Sequence, residues 1–420
     1  MRVRALLSVA VLAWSAAACT GGSEPAGTAS PARTSAGPST SPLRFGATPL
    51  WSERTKGVPR YADHFALHGD SVVVVSGPRR SESDRLSVLD AATGEVRWSI
   101  RIWRPLRGGH GDRWNGLDPS GTTPPVVDRG GDWGVLVETS QNHASTQEPY
   151  GLALLSGEDG RVLWRRTVVA EKKSGDRNKR VYPDLVLGDT SIALMHLRTS
   201  LNPMVTDTRL VAVDPRTGRR LWSRSGVAPA AVVSGTVVAA EWPDPARTPY
   251  GSAANGTVAV LDPATGQDRW SLRDRMPAAR VMAAINGLVV VSDPRRAPVL
   301  LDLATGVQVG SLPGQAGNCS DDRANLIACE SLSSTSGLLT IAAGERTARP
   351  AAHRPPEGII TLVRDGRIYF SGVNSPGAEI DRSGTPLTGP LPAGFLGALS
   401  DRYAVFRIPV TQQYSVYGAG

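Results

Sequence analysis

"LDPATGQDRW" (residues 261–270) reads as the end of one strand, a tight turn and a returning strand that carries a tryptophan. The chain writes the phrase again as "LDAATGEVRW" (89–98), "LSGEDGRVLW" (155–164) and "VDPRTGRRLW" (213–222), and once without the ring as "LDLATGVQVG" (301–310). A phrase that returns in this way marks a repeat architecture, in which each unit buries its apolar surface against the next. Within each copy the residue types have separate duties. A strand such as "TVAVL", read as alternating, delivers an aspartate whose carboxylate can bond nearby backbone N–H groups. Gly94, Gly160, Gly218, Gly266 and Gly306 then supply a positive φ without steric cost. Four residues later Trp98, Trp164, Trp222 and Trp270 fall on one face of the returning strand, a spacing suited to filling the wedge between one small sheet and the next.

Upstream of each turn lies a second kind of hairpin: "HFALHGDSVVVVS" (64–76), "PPVVDRGGDWGVLVETS" (124–140), "DLVLGDTSIALMHL" (184–197), "AAVVSGTVVAAEW" (230–242) and "RVMAAINGLVVVS" (280–292). The series continues with "GNCSDDRANLIACES" (317–331), "GIITLVRDGRIYFSG" (358–372) and "GALSDRYAVFRIP" (397–409). Eight first hairpins meet seven second hairpins, the last two degenerate at Gly344 and Gly384. The eighth unit has a lone third strand, "QQYSVYG", and its missing partner is "TPLWSERT" near the other end, with Trp51. Pairing the two closes a ring and removes open sheet edges. The expectation is all-β: eight four-stranded antiparallel blades closed by N- and C-terminal strands, with seven blades as the alternative if the unit around Gly344 is not a true one.

The recurring A-x-D-x-x-T-G-x-x-x-W pattern resembles the pyrroloquinoline-quinone-type (PQQ-like) β-propeller repeat over roughly residues 46–420. That family includes quinoprotein dehydrogenases and cofactor-free exported lipoproteins, among them the scaffold lipoprotein of the outer-membrane assembly machine. The dehydrogenase branch implies adjacent cysteines in a disulfide ring and a calcium set of Glu, Asn and Asp. This sequence has no two adjacent cysteines, and no such set is assignable. There is also no G-x-S-x-G elbow, P-loop, C-x-x-C, H-E-x-x-H or acidic calcium loop. The six histidines, His64, His68, His110, His143, His196 and His353, lack ligand spacing. The reading is therefore no catalytic residue, no cofactor and no metal, with a quinoprotein-type or other enzyme using the central channel as the alternative.

Residues 1–18 carry Arg2, Arg4, the apolar run "ALLSVAVLAW" and Ala16–Ala18, the form of an export signal. Ending on Cys19, the segment resembles a bacterial lipoprotein signal, which implies lipid on that cysteine and an extracytoplasmic chain held at the cell membrane. Residues 19–45 are rich in Ser, Thr, Pro, Gly and Ala and read as a disordered tether; residues 46–420 are the propeller. Of the 3 cysteines, two remain. A turn near 322–325 would set Cys319 opposite Cys329, close enough for a disulfide in an exported protein, the alternative being two buried thiols. Zinc is disfavoured by the lack of a second pair or a nearby histidine.

Two insertions break the repeat. The first, "RIWRPLRGGHGDRWNGLDPSG", mixes Trp103, Arg104, Arg107, His110, Arg113 and Trp114, residue types favoured at interfaces, although it could equally fold back on its own blade. The second, "AEKKSGDRNKRVYP", holds Lys172, Lys173, Arg177, Lys179 and Arg180. With a formal charge of +8, it suits an anionic headgroup or cell-wall polymer, or is simply a solvated loop. No nucleic-acid module is visible. The resulting expectation is a monomeric, lipid-anchored, non-catalytic scaffold whose partner is an envelope protein or an anionic wall polymer.

Overall fold

The structure, a computed structural model, describes residues 44–46, 48–54, 64–76, 85–101, 125–140, 150–169, 179–189, 191–201, 204–241, 256–293, 296–314, 316–331, 337–356, 358–371, 376–408 and 413–419. Its first strand, β1 (Trp51–Arg54), belongs to the last blade. Blade 1 is β2 (His64–His68), β3 (Ser71–Ser76), β4 (Arg85–Asp90) and β5 (Val96–Arg101). Blade 2 is β6 (Val126–Asp128), β7 (Trp133–Ser140), β8 (Tyr150–Ser156) and β9 (Val162–Val169). Blade 3 is β10 (Lys179–Asp189), β11 (Ile192–Leu201), β12 (Met204–Val213) and β13 (Arg220–Ser225). Blade 4 is β14 (Val227–Val233), β15 (Thr236–Glu241), β16 (Thr257–Leu261) and β17 (Asp268–Ser271).

Blade 5 is β18 (Arg280–Ile285), β19 (Leu288–Asp293), β20 (Arg296–Asp302) and β21 (Gln308–Ser311). Blade 6 is β22 (Ala316–Asp321), β23 (Leu326–Ser331), β24 (Leu338–Ala342) and the two-residue β25 (Arg349–Pro350). Blade 7 is β26 (Ile359–Arg364), β27 (Arg367–Ser371), β28 (Pro376–Ile380) and β29 (Leu391–Ala393). Blade 8 is β30 (Phe395–Leu399), β31 (Tyr403–Ile408) and β32 (Gln413–Gly418), completed by β1. The unit around Gly344 is thus a true blade, and the ring is an eight-bladed β-propeller.

Closure is a strand ladder. Trp51 pairs with Val416 and Glu53 with Tyr414, and Leu50 N–H donates to the Val416 carbonyl at 2.8 Å. Every sheet is antiparallel: seven blades are meanders whose successive strands are joined directly, and in the eighth β1 pairs antiparallel with β32.

The core is not a single mass. Each seam between neighbouring blades holds its own apolar cluster, from Leu86, Val88, Trp98 and Val135 between blades 1 and 2 to Phe65, Val74, Val405 and Val416 between blades 8 and 1. This arrangement corrects the alternating reading of the strands. All five residues of β16, "TVAVL", are buried, and so are all five of β27. A blade has a neighbour on both faces, so successive residues of its middle strands are all buried rather than alternating in and out.

Candidate functional site

The repeated turn is built by its aspartate. Asp90 Oδ1 accepts from the N–H groups of Ala92 and Thr93, each at 3.0 Å, and from Thr93 Oγ1 at 3.2 Å. Asp262 and Asp302 make the same three bonds to Ala264 and Thr265 and to Ala304 and Thr305. The bond from Arg97, at 2.8 Å, is the largest influence on Asp90 and holds its carboxyl below the usual range despite partial desolvation. Thr305, through its hydroxyl, likewise lowers Asp302.

Glycine and tryptophan then serve different blades. A Cβ placed on Gly94 would lie 2.7 Å from the Trp51 ring, on Gly160 2.9 Å from Trp98, and on Gly218 2.6 Å from Trp164. The same contact is 2.6 Å from Gly266 to Trp222 and from Gly306 to Trp270. Each ring lies flat on the turn glycine of the following blade, and its indole N–H donates to a carbonyl of that turn: Trp51 to Ala91 at 2.9 Å, Trp98 to Gly157 at 2.8 Å, Trp164 to Pro215 at 3.2 Å, Trp222 to Pro263 at 2.7 Å and Trp270 to Leu303 at 2.9 Å. The glycine is needed twice over, for its φ near +70° and for the absence of a side chain under the ring.

Three seams lack this joint. Between blades 5 and 6 the tryptophan position is Gly310, whose missing Cβ leaves room for the Arg346 carbonyl. Between blades 6 and 7 Glu345 receives both oxygens' worth of contact from Arg382, at 2.7 and 2.8 Å, with Arg349 at 3.0 Å. Burial works against the Glu345 charge, but these arginines outweigh it and lower its pKa. Between blades 7 and 8 Arg364 bonds Asp401 at 2.7 Å and also reaches the Leu399 carbonyl. Within blade 7, Arg367 pairs with the fully buried Glu379 at 2.6 Å, and burial followed by the Glu379 charge pushes the Tyr369 hydroxyl far up. Blade 6, flanked by two of these seams, carries the Cys319–Cys329 disulfide across directly paired positions of β22 and β23.

The inner-hairpin turns are stitched around the same face. Ser234 bonds Asn286, Asn286 N–H donates to the Ala324 carbonyl at 3.3 Å, and Gly366 N–H donates to Asp322 at 3.2 Å. Arg402 pairs with Asp70 at 2.6 Å, joining blade 8 to blade 1. His68 stacks on Trp133 at 4.7 Å between ring centres, joining blades 1 and 2. His68 is therefore a packing residue. The sequence reading missed Trp133, whose ring covers Gly157 and whose N–H bonds Glu158 at 2.7 Å; the signal was its place just after the turn "DRGGDWG".

In a four-stranded meander both hairpin turns fall on one face, and the other connections leave from the opposite face. β5 ends at Arg101 before β6 at Val126, and β9 ends at Val169 before β10 at Lys179, so both insertions depart from strand ends on the face opposite the repeated turns. Trp103, Arg104, Arg107, His110, Arg113, Trp114, Lys172, Lys173 and Arg177 lie outside the described residues, as does Cys19. Lys179 and Arg180 open β10, opposite Leu201 and Ser200, with their side chains outside the described set. On the side of the ring between blades 2 and 3 lies a cleft of about 470 Å³ lined by Arg166, Thr167, Asp214, Thr217, Arg219 and Arg220.

The two described cysteines bond each other across a hairpin, and among the described residues no group of three or more His, Cys, Asp or Glu side chains is disposed to hold a metal ion.

Residues 46–309 match a sequence family described as the outer membrane protein assembly factor BamB. The chain belongs to this family. No curated protein sequence matches it. Among solved structures, a quinohemoprotein alcohol dehydrogenase from Comamonas testosteroni aligns over 88% of this chain and 76% of its own, at 11% identity and a TM-score of 0.51. BamB from Moraxella catarrhalis aligns over 88% of this chain and 99% of its own, at 12% identity and a TM-score of 0.47. At such identities the likeness concerns the fold alone. The BamB-family match stops at residue 309, just past Gly306, the last glycine to seat a tryptophan.

Proposed function

We propose that this BamB-family propeller is a non-catalytic protein-binding scaffold of the cell envelope. In this reading residues 1–18 are an export signal, Cys19 carries the lipid, residues 19–45 are the tether and residues 46–420 the binding body. The insertions 101–121 and 170–183 would form the docking surface for an envelope protein, with Trp103, Arg107, His110, Arg113 and Trp114 beside Lys172, Lys173, Arg177, Lys179 and Arg180. The observation that carries the reading is the division of labour between the two faces. On the turn face the repeated aspartates build their own turns and the glycines and tryptophans join neighbouring blades, whereas both insertions depart from strand ends on the opposite face, where their aromatic and basic residues would serve recognition.

The test is site-specific photocrosslinking in the native envelope, with the photoreactive residue at Trp114 or Lys173 and, as reference, at Glu95 on the turn face. A discrete protein adduct from the first two positions and none from Glu95 is expected. Adducts from Glu95 alone would remove the proposed docking face. Dye reduction by the purified protein on adding pyrroloquinoline quinone and calcium would replace the scaffold by an enzyme of the central channel. Cys19→Ser should shift the protein from the membrane fraction to the medium with its unfolding curve unchanged, because a flexible tether isolates the anchor from the fold; a mutant still bound to membranes would contradict the lipid anchor.

A further inference from the structure

The eight-fold repetition allows one seam to be read against another. Arg224, two residues after Trp222, crosses from blade 3 to blade 4. There it bonds Asp268 at 2.6 Å, Glu241 at 2.6 Å and the Gly266 carbonyl at 3.1 Å. Arg166 stands in the same place after Trp164, crossing from blade 2 to blade 3, and its stem covers Gly218 at 2.7 Å from the missing Cβ. Its acceptors are gone. The position of Asp268, two residues after the turn glycine, is Arg220, and Arg219 precedes it. The register that aligns Trp270, Val260 and Val238 with Trp222, Ala212 and Leu194 puts buried Leu197 where Glu241 stands.

Arg166 is left with a hydrogen bond to the Arg165 carbonyl at 3.1 Å, and among the described residues Arg166, Arg219 and Arg220 make no ion pair. Asp214, the one carboxylate of the cleft, is occupied within its own turn by Arg216 N–H at 2.9 Å and Thr217 Oγ1 at 2.7 Å. Where the neighbouring seam has an ion-paired joint, this one has a cleft lined by three arginines and a single aspartate.

We infer that this cleft between blades 2 and 3 is a phosphate-binding site. Guanidinium groups present fixed N–H forks that match the oxygens of a phosphate, and clustered like charges favour an anionic occupant. Three arginines against one aspartate leave an excess charge of two, which suits a free phosphate carrying about −1.5 to −2 at neutral pH or two successive phosphodiester groups of charge about −1 each. The phosphate could be free or part of a phosphodiester polymer, and both are recognised by the same forks.

The experiment is titration calorimetry of the mature chain at fixed ionic strength, once with inorganic phosphate and once with poly(glycerol phosphate). Binding of either supports the site, and the tighter ligand identifies the source. Arg220→Asp restores the acidic partner that Arg224 has in the neighbouring seam. It should weaken binding on the order of tenfold or more, about 1.4 kcal/mol or above, while leaving the unfolding midpoint equal or higher. Arg166→Gln should weaken binding as well and covers the case in which Arg220→Asp does not fold. Arg161→Asp, the same charge change at an exposed turn of blade 2, should bind as wild type does. No heat with either ligand, or equal affinities for Arg220→Asp and Arg161→Asp, would overturn the assignment.

Discussion

Five seams of the ring, from blade 8 through blade 5, use one device, and three seams, from blade 5 round to blade 8, use none of it. In the first group a tryptophan lies on the next blade's turn glycine and hydrogen-bonds its backbone. In the second group the joints are a backbone carbonyl packed against Gly310, the Glu345–Arg382 pair and the Arg364–Asp401 pair. The ring closes all the same. A propeller blade needs a covered face on each side, and apolar clusters such as Ile327, Cys329 and Leu339 against Ile285 and Val290 supply that cover without the motif. The tryptophan joint is therefore one solution among several: apolar cover with a local polar or backbone contact closes the other three seams.

The largest effect should come from breaking the ring where the two groups meet through closure. Deleting residues 46–56 removes β1 and Trp51 together. Trp51 is partly buried, so its loss costs up to about 3–5 kcal/mol, and the exposed edges of β32 and blade 1 invite association. We expect aggregation or a large fall in the melting temperature, whereas deleting residues 22–40 should change neither; equal, wild-type melting of both would remove the terminal strand from the account.

Reduction of Cys319–Cys329 should act next in size, on one of the two blades that have no tryptophan joint on either side. Closing a loop of this length is worth roughly 2–3 kcal/mol in the chain-entropy view. Denaturation with and without reductant, compared with a Cys319→Ser/Cys329→Ser variant that should not respond to reductant, checks it. Two alkylatable thiols in the unreduced, unfolded chain would refute the bridge.

Acid should separate the groups by a smaller margin. Glu345 is held below the ordinary glutamate value, its arginine partners outweighing burial. A depressed carboxyl stabilises fully above its unfolded value and stops doing so as pH falls through the lower folded value. Glu345→Gln should therefore be less stable than wild type at pH 7, and the gap in urea midpoint should shrink as pH drops below about 4.3. A gap independent of pH would show that the pair contributes through packing.

Much of this was legible in advance because it is written in contiguous residues. The Asp–Thr–Gly turn needs only its own donors and its own φ, so "LDPATGQDRW" states it completely, and the hairpin between Cys319 and Cys329 is stated by "NCSDDRANLIAC". The seams were less legible, since each pairs a ring with a glycine of another repeat. Nothing within one copy says that Trp222 belongs to Gly266. The three irregular seams were not legible at all, because each is solved by different chemistry, and a single arginine such as Arg382 looks like any solvated charge until Glu345 is seen beside it. The cleft at Arg166 was hidden for the opposite reason: it is a departure from a pattern, visible only once the register of blades 3 and 4 is laid side by side.

The most direct test of the joint uses two glycines with nearly the same backbone. Gly266 has φ +70° under the Trp222 ring, and Gly344 has φ +82° with nothing within 4 Å of where a Cβ would stand. Gly344→Ala should cost only the left-handed backbone penalty of about 1–2 kcal/mol. Gly266→Ala should add the displacement of a tryptophan, bringing the loss towards about 3–5 kcal/mol, with a red-shifted indole emission before global unfolding. Denaturant unfolding of the two variants followed by tryptophan fluorescence should show Gly266→Ala clearly the weaker. Equal midpoints for the two would contradict the claim that the glycine is the seat of the neighbouring blade's ring.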